Sequence, residues 1–199
     1  AEAIHPGYGF LSENSVFVEK CEKEGVVFIG PSAKVIRDLG DKITSRNIML
    51  NSGVPVTPGL TASEADPAVM IREAEKMGYP VLIKATAGGG GKGIRLVNAS
   101  DEMPDACAAA TREAMHAFGN GEIYLEKFFT KARHIEFQVL AAQFGNTIHL
   151  LERECSVQRR HQKIIEETPS TILTPALRAE MGRAAVTAAK ASGYVNAGT

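Results

Sequence analysis

Cysteine is scarce in this sequence. Cys21, Cys107 and Cys155 are three, odd in number and far apart. That spacing offers neither a metal-ligand cluster nor a disulfide framework, and it fits a reducing compartment, cytoplasmic or the mitochondrial matrix. Neither sign of charge is in excess. Lys and Arg number 22 against 23 Asp and Glu, for a net charge of −1 and a pI near 6.6. No basic field is offered to nucleic acid or to an anionic membrane, so neither is expected as a partner. No apolar run is long enough to span a bilayer, and no signal peptide is visible. Repeats are missing, and the only low-complexity tract is one glycine run. The first residue is Ala1 rather than Met, and Glu2-Ala3-Ile4-His5 already reads like the interior of a fold. At the other end Asn196-Ala197-Gly198-Thr199 stops without an obvious ending. We expect a segment truncated at both ends.

What remains is ordinary globular material. The chain has 199 residues, 44% of them hydrophobic and 23% charged, enough for one large domain or two small ones with a real core. Acidic and basic residues are interspersed, which argues against disorder. Helical and strand patterns alternate, so the fold class is α/β or α+β. Ser12 or Asn14 can cap a helix to about Glu24, closed by Gly25, and 26–29 is a short buried strand. Two further helices follow, over 32–39 and about 41–51. Pro55, Pro58 and Gly59 make a rigid boundary. Beyond it come a helix over 66–77, strands at 81–84 and 94–97, a helix capped by Ser100 and running to about Phe118, and a strand at 123–126. Residues 134–142 alternate, with Ile135, Phe137 and Val139 on one face and Glu136 and Gln138 on the other. Gly145-Asn146 marks a turn, 147–152 returns, and a polar stretch fills 154–167. The last helix has Thr174 as its cap, Pro175 at its first position and Gly193 as its stop.

The glycine run Ala87-Gly88-Gly89-Gly90-Gly91-Lys92-Gly93 joins two apolar strands. Without side chains, glycines let backbone N–H groups approach phosphate oxygens and adopt positive φ. A Walker loop is excluded because no Gly-Lys-Ser/Thr follows, and a strand rather than a helix comes next. A Rossmann fingerprint fails for the same reason. A surface linker remains the alternative, although four consecutive glycines between apolar strands argue against it. Lys84 ends the preceding strand among apolar neighbours. A partly buried lysine needs an anionic partner, which phosphate oxygens would supply, or else snorkels to solvent. Lys42 opens a helix, where its charge conflicts with the dipole and a bound anion would relieve that conflict. By itself Lys42 reads rather as a solvated lysine.

Three stretches together resemble the biotin carboxylase family of ATP-grasp enzymes. They are His5-Pro6-Gly7-Tyr8-Gly9-Phe10-Leu11-Ser12-Glu13-Asn14; Met77-Gly78-Tyr79-Pro80 through Lys84 and the glycine loop; and Arg153-Glu154-Cys155-Ser156-Val157-Gln158-Arg159-Arg160-His161-Gln162-Lys163-Ile164-Ile165-Glu166-Glu167. The glycine loop alone would suggest only an ATP-grasp fold. The first and third stretches narrow it to biotin carboxylases, and the likeness covers nearly the whole chain.

The resemblance implies an ATP-grasp fold with a preceding Rossmann-like domain. Residues 1–56 would be the end of that N-terminal domain, 57–129 the ATP-grasp lid and 130–199 the first part of the central domain. It implies ATP-dependent carboxylation of biotin by bicarbonate through carboxyphosphate, in acetyl-CoA carboxylase or a related acyl-CoA or pyruvate carboxylase. Lys42 and Lys84 then look like phosphate ligands, and Gly88, Gly89, Gly90, Gly91, Lys92 and Gly93 like the phosphate lid. Glu126, Lys127 and Phe129 resemble the hinge whose backbone reads adenine, suited to a strand end with free N–H and C=O groups. His134 resembles a ribose contact, with Gln158 and His161 near the nucleotide. Lys163 resembles the lysine that binds bicarbonate and the transferring phosphoryl group, and Tyr8 and Gly9 look positioned near biotin. Cys155 reads as packing rather than as a nucleophile. Two magnesium-binding glutamates and an Asn-Arg-rich segment are expected beyond Thr199, so no Mg2+ ligand is assigned here. Implied partners are a biotin carboxyl carrier protein or domain, a carboxyltransferase component and, for the full-length parent, a second copy in a homodimer. Another ATP-grasp ligase, or a non-catalytic nucleotide-binding module, would keep the loop without the biotin-type stretches. Taken alone, the basic run at 159–163 would read as a solvated face.

Overall fold

A computed structural model describes residues 1–87, 93–159 and 162–199. In chain order the elements are β1 (Ala3–Ile4), α1 (Ser15–Lys23), β2 (Val27–Phe28), α2 (Ala33–Gly40), α3 (Lys42–Asn51), α4 (Pro67–Met77), β3 (Val81–Ala85), β4 (Arg95–Val97), α5 (Met103–Phe118), β5 (Ile123–Lys127), β6 (Ile135–Ala141), β7 (Thr147–Arg159), β8 (Gln162–Glu167), α6 (Pro175–Ser192) and β9 (Asn196–Gly198). Their contacts divide the chain into two compact units. Unit one holds residues 1–40, 48–55 and 133–199, and unit two holds 41–47 and 56–132.

Unit one contains a parallel pair, β1 with β2, and a four-stranded antiparallel sheet in the order β8-β7-β6-β9. The Asn14 side chain accepts the Phe17 N–H at 2.9 Å and so starts α1. Thr174 does the same for α6, accepting from Leu177 at 3.2 Å; Pro175 follows, and Gly193 (φ 69°) closes the helix as expected. α6 packs on β6 and β7. A Cβ at Gly182 would sit 2.5 Å from the His149 ring, so the close approach at that point requires glycine.

The polar stretch is where the structure adds most. It completes β7 and forms β8, so the stretch that the composition marks only as polar is made of two paired strands. Polar residues can line these strands because their charges pair across the sheet, as with Glu136 opposite Arg153.

Unit two is a sheet in the order β4-β3-β5, all antiparallel, covered by α4 and α5. Its core includes Met70, Val81, Ile83, Met103, Ile123 and Leu125, each fully buried. Asp66 caps α4 through the Ala68 N–H at 2.9 Å. Ser100 does not cap α5. A 3-10 turn spans Ser100–Glu102, and the helix starts at Met103, where Pro104 occupies the first turn. Proline lacks an N–H and is favoured there, which moves the start three residues on. No helix among the described residues is long and apolar enough to cross a membrane.

Candidate functional site

The candidate residues fall into two groups, one in each unit. In unit two, Asp41 Oδ1 accepts the Thr44 N–H at 2.7 Å and caps α3. The Lys42 N–H donates to Thr86 O at 3.2 Å, which ties the start of α3 to the chain just past β3. Lys42 is therefore held near Lys84 on β3. Burial lowers the Lys42 pKa, the like charge of Lys84 lowers it further, and Asp41 and Glu126 oppose them. The anionic partner that Lys84 needs is present within the chain: its ammonium pairs with the Glu126 carboxylate. The other oxygen of Glu126 faces Arg46 Nη1 at 3.4 Å.

Glu126 thus contributes its side chain, where the sequence suggested only backbone. The expectation of free strand-end groups is corrected along part of this edge. The Lys127 N–H donates to Pro58 O at 2.8 Å and the Phe128 N–H to Pro80 O at 3.3 Å. The turn-rich passage runs antiparallel beside β5, with Gly59 opposite Glu126, and takes up the Lys127 group; the chain entering β3 takes up that of Phe128. Lys127 Nζ donates to Gly78 O at 2.7 Å, while Phe129 is about half exposed. Residues 88–92, which include Gly88, Gly89, Gly90, Gly91 and Lys92, lie outside the described residues. Gly93 (φ 70°) accepts the Ala85 N–H at 3.2 Å and closes the base of the β3–β4 hairpin.

In unit one the third motif and the strand β6 come together. The His134 N–H donates to Ser156 Oγ at 3.0 Å. Gln158 Nε2 lies 2.7 Å from His134 Nδ1 and donates to Cys155 O at 2.8 Å. An amide donor at Nδ1 makes that nitrogen the acceptor, so a neutral ring carries its proton on Nε2. Lys163, on β8, pairs with Glu136, on β6. Arg153, on β7, donates to the same carboxylate from Nε at 2.8 Å and to Gln138 Oε1 at 3.1 Å. Burial pushes the Glu136 pKa up, but the hydrogen bonds from Lys163 and Arg153 outweigh it and hold the carboxyl below its usual range. The hydrogen bond to Glu136 raises the Lys163 pKa above the usual lysine value, against burial.

Tyr8, Gly9 and Lys163 line one cavity of about 890 Å³, with Glu136, Gln138 and Arg153. Tyr8 is almost fully exposed on a loop bent by positive φ at Gly7 and Gly9. His161 and Arg160 lie outside the described residues. Cys155 is fully buried, and burial raises its pKa, so it stays a protonated packing residue.

The sequence reading missed Glu136, Arg153, Arg46 and the carboxylate of Glu126. Glu136 and Arg153 were legible in principle. The alternation places Glu136 on the face away from Phe137, and the 145–146 turn brings Arg153 opposite it. Magnesium does not fit these residues. Among the described residues, Glu136, Cys155 and Glu166 bring possible ligand atoms within 4.8 Å of one another. A protonated thiol is a poor ligand for so hard a cation, and Glu136 is already held by two cationic side chains.

Residues 41–199 match the family described as carbamoyl-phosphate synthase L chain, ATP binding domain, and residues 1–36 match biotin carboxylase, N-terminal domain. A pyruvate carboxylase subunit of Methanothermobacter thermautotrophicus is 56% identical over all 199 residues, which cover 40% of that protein. The crystal structure of a biotin carboxylase–β,γ-ATP complex from Campylobacter jejuni superposes with a TM-score of 0.94 at 48% identity, over 99% of this chain and 44% of that one. The biotin carboxylase domain dimer of Hydrogenobacter thermophilus 2-oxoglutarate carboxylase, in complex with MgADP, ADP and bicarbonate, gives 0.92 at 50% identity, over 99% and 44%. The chain spans less than half the length of these relatives.

Proposed function

The chain belongs to the biotin carboxylases, within the family of carbamoyl-phosphate synthase L chain ATP-binding domains, and on that premise we propose that it supplies substrate-binding residues for ATP-dependent carboxylation of biotin by bicarbonate. The observation that carries this reading is the cavity in which Tyr8 and Gly9 of the first motif and Lys163 of the third line one space. A biotin-type loop and a bicarbonate-type lysine belong together only if one reaction uses both.

The residues take the following roles. Lys42 and Lys84 neutralise ATP phosphates, with the loop at 88–93 as their cover. Phosphoryl transfer depends mostly on positioning and charge neutralisation, which suits paired lysines and backbone donors. Glu126, Lys127 and Phe129 border the adenine. His134, oriented through Nδ1 by Gln158, offers Nε2–H to the ribose. Lys163 hands its ammonium from Glu136 to bicarbonate and to the transferring phosphoryl group, with His161 beside it in sequence. A bicarbonate oxygen attacks the γ-phosphorus and ADP leaves; the carboxyphosphate so formed delivers its carboxyl group to the ureido nitrogen of biotin near Tyr8 and Gly9, releasing phosphate as the nitrogen loses its proton. Mg2+, when bound, would add charge neutralisation at the phosphates.

The division into 1–56, 57–129 and 130–199 belongs to the same proposal, and the long segment 56–132 of unit two supports the middle part as the lid. A carboxyl carrier, a carboxyltransferase and a second copy are the proposed partners, in the cytoplasm or the mitochondrial matrix. The parent is acetyl-CoA carboxylase or a related acyl-CoA or pyruvate carboxylase. The test is bicarbonate-dependent ATP hydrolysis by the full-length parent with and without free biotin. We expect stimulation by biotin; its absence would sink the reading.

A further inference from the structure

Arg46 lies on α3, one turn after Lys42, and no motif in the sequence singles it out. Its side chain is nearly inaccessible, at 7% exposure. A buried guanidinium needs its donors satisfied; the two terminal nitrogens of this one reach three acceptors, while Nε has none among the described residues. It donates to Thr57 O, to Gly59 O at 3.5 Å and to Glu126 Oε1 at 3.4 Å. The arrangement is tight: a Cβ on Gly59 would lie 2.6 Å from Leu125 O and 3.4 Å from the Arg46 guanidinium carbon. The remaining oxygen of Glu126, Oε2, is taken by Lys84. One carboxylate is therefore divided between two cations, one on each oxygen.

That division has an electrostatic consequence. A lysine that owns a carboxylate outright is neutralised and offers little to a phosphate. If the carboxylate is shared with a fixed arginine, the lysine keeps part of its field. Lys42 senses this field, because the charge of Lys84 is the second cause, after burial, of its lowered pKa.

We propose that Arg46 is a positioning residue for nucleotide binding: by holding Glu126 on one oxygen it keeps Lys84 only partly compensated and aligned for a polyphosphate. This rests on the reading that Lys42 and Lys84 bind ATP phosphates.

The experiment measures KM for ATP and kcat in the bicarbonate-dependent reaction of the full-length parent. Arg46→Met should raise KM for ATP about tenfold, the worth of one weakened charge-assisted hydrogen bond, and leave kcat within about twofold. Arg46→Lys should recover most of that loss. Adding Glu126→Gln to Arg46→Met should bring KM back down, because a neutral amide no longer ties up Lys84. A merely structural Arg46 gives the opposite result, with the double variant worse than the single one. Should Arg46→Met fail to fold, Arg46→Gln removes the charge and keeps a donor for the carbonyls of Thr57 and Gly59. Lys84→Met separates the two levels of the argument. If Lys84→Met raises KM and neither charge-removing variant at Arg46 does, the role of Arg46 is overturned. If Lys84→Met leaves KM unchanged, the phosphate reading falls, and this inference with it.

Discussion

Each unit contains a glutamate shared by one lysine and one arginine, and the two sets differ mainly in their surroundings. In unit two, Arg46, Glu126 and Lys84 have side chains 7%, 14% and 23% exposed. In unit one, Arg153, Glu136 and Lys163 are 31%, 10% and 36% exposed. The first set borders a core of Ile83, Leu125 and their neighbours; the second lines an open cavity. Ion pairs with solvent access contribute little to stability, whereas removing one partner of a buried pair leaves a costly uncompensated charge. Lys163 can therefore exchange Glu136 for an anionic substrate at small cost. Lys84 is tied into the framework that holds it.

The largest effect that follows is catalytic. Lys163→Ala in the full-length parent should lower biotin-stimulated, bicarbonate-dependent turnover by roughly 10²–10³-fold, the scale for removing a group that meets developing charge. Its urea unfolding midpoint should shift only slightly, because its ion pair is solvent-accessible. Unchanged turnover would remove Lys163 from the mechanism. A large loss of stability would show that the two sets are energetically alike after all.

The sequence made the periodic and motif-bearing parts legible and left the cross-strand pairs hidden. Asn14, Asp66, Thr174 and Gly193 mark helix ends by local chemistry, so those boundaries follow from a few neighbouring residues. Lys84 was legible as a partly buried cation because its neighbours are apolar. Its partner Glu126 stands 42 residues away, and only the pairing of β3 with β5 brings the two together. Arg46 and Glu126 are 80 residues apart, with no pattern linking them. The strand nature of residues 154–167 was obscured for a related reason. Charged residues signal loops in isolation, and they sit in β7 and β8 because distant partners neutralise them: Glu136 on β6 for Lys163, Arg133 for Glu154 and Arg153 for Glu166. The hinge failed in one detail: nothing local to residues 126–128 shows that Pro58 and Pro80 carbonyls take up their N–H groups.

A second contrast concerns stability. Leu125→Ala, in the fully buried core of unit two, should cost about 3 kcal/mol, within the range for truncating a buried leucine. Leu150→Ala on β7, about half exposed, should stay within ~0.5 kcal/mol. Urea denaturation of both variants reads this directly. Equal losses would mean that the sheet of unit one is packed as closely as the core of unit two.

The smallest effect is the dependence on pH, where Glu136 and Lys42 should contribute to stability near neutrality with opposite signs. Glu136 has its carboxyl held below the usual range, so it binds fewer protons folded than unfolded at mildly acidic pH. Its contribution is fully present above the ordinary carboxylate pKa and is lost as pH falls through its lowered folded value. Solvent screening keeps it below about 1 kcal/mol. Lys42 is shifted the other way relative to its charge. Burial first, and then Lys84, lower its pKa, so the folded state disfavours its protonated form. Stability should therefore rise as pH climbs through that lowered value toward the ordinary lysine range. Unfolding of Glu136→Gln and Lys42→Met against wild type across pH measures both. The Glu136→Gln deficit should be flat near neutrality and vanish in acid. The Lys42→Met advantage should be flat near neutrality and vanish in alkali. A Glu136→Gln advantage or a Lys42→Met deficit near neutrality would overturn the assignment of opposite signs, and with it the view that the lysine of unit two is held near a like charge while the carboxylate of unit one is held by opposite ones.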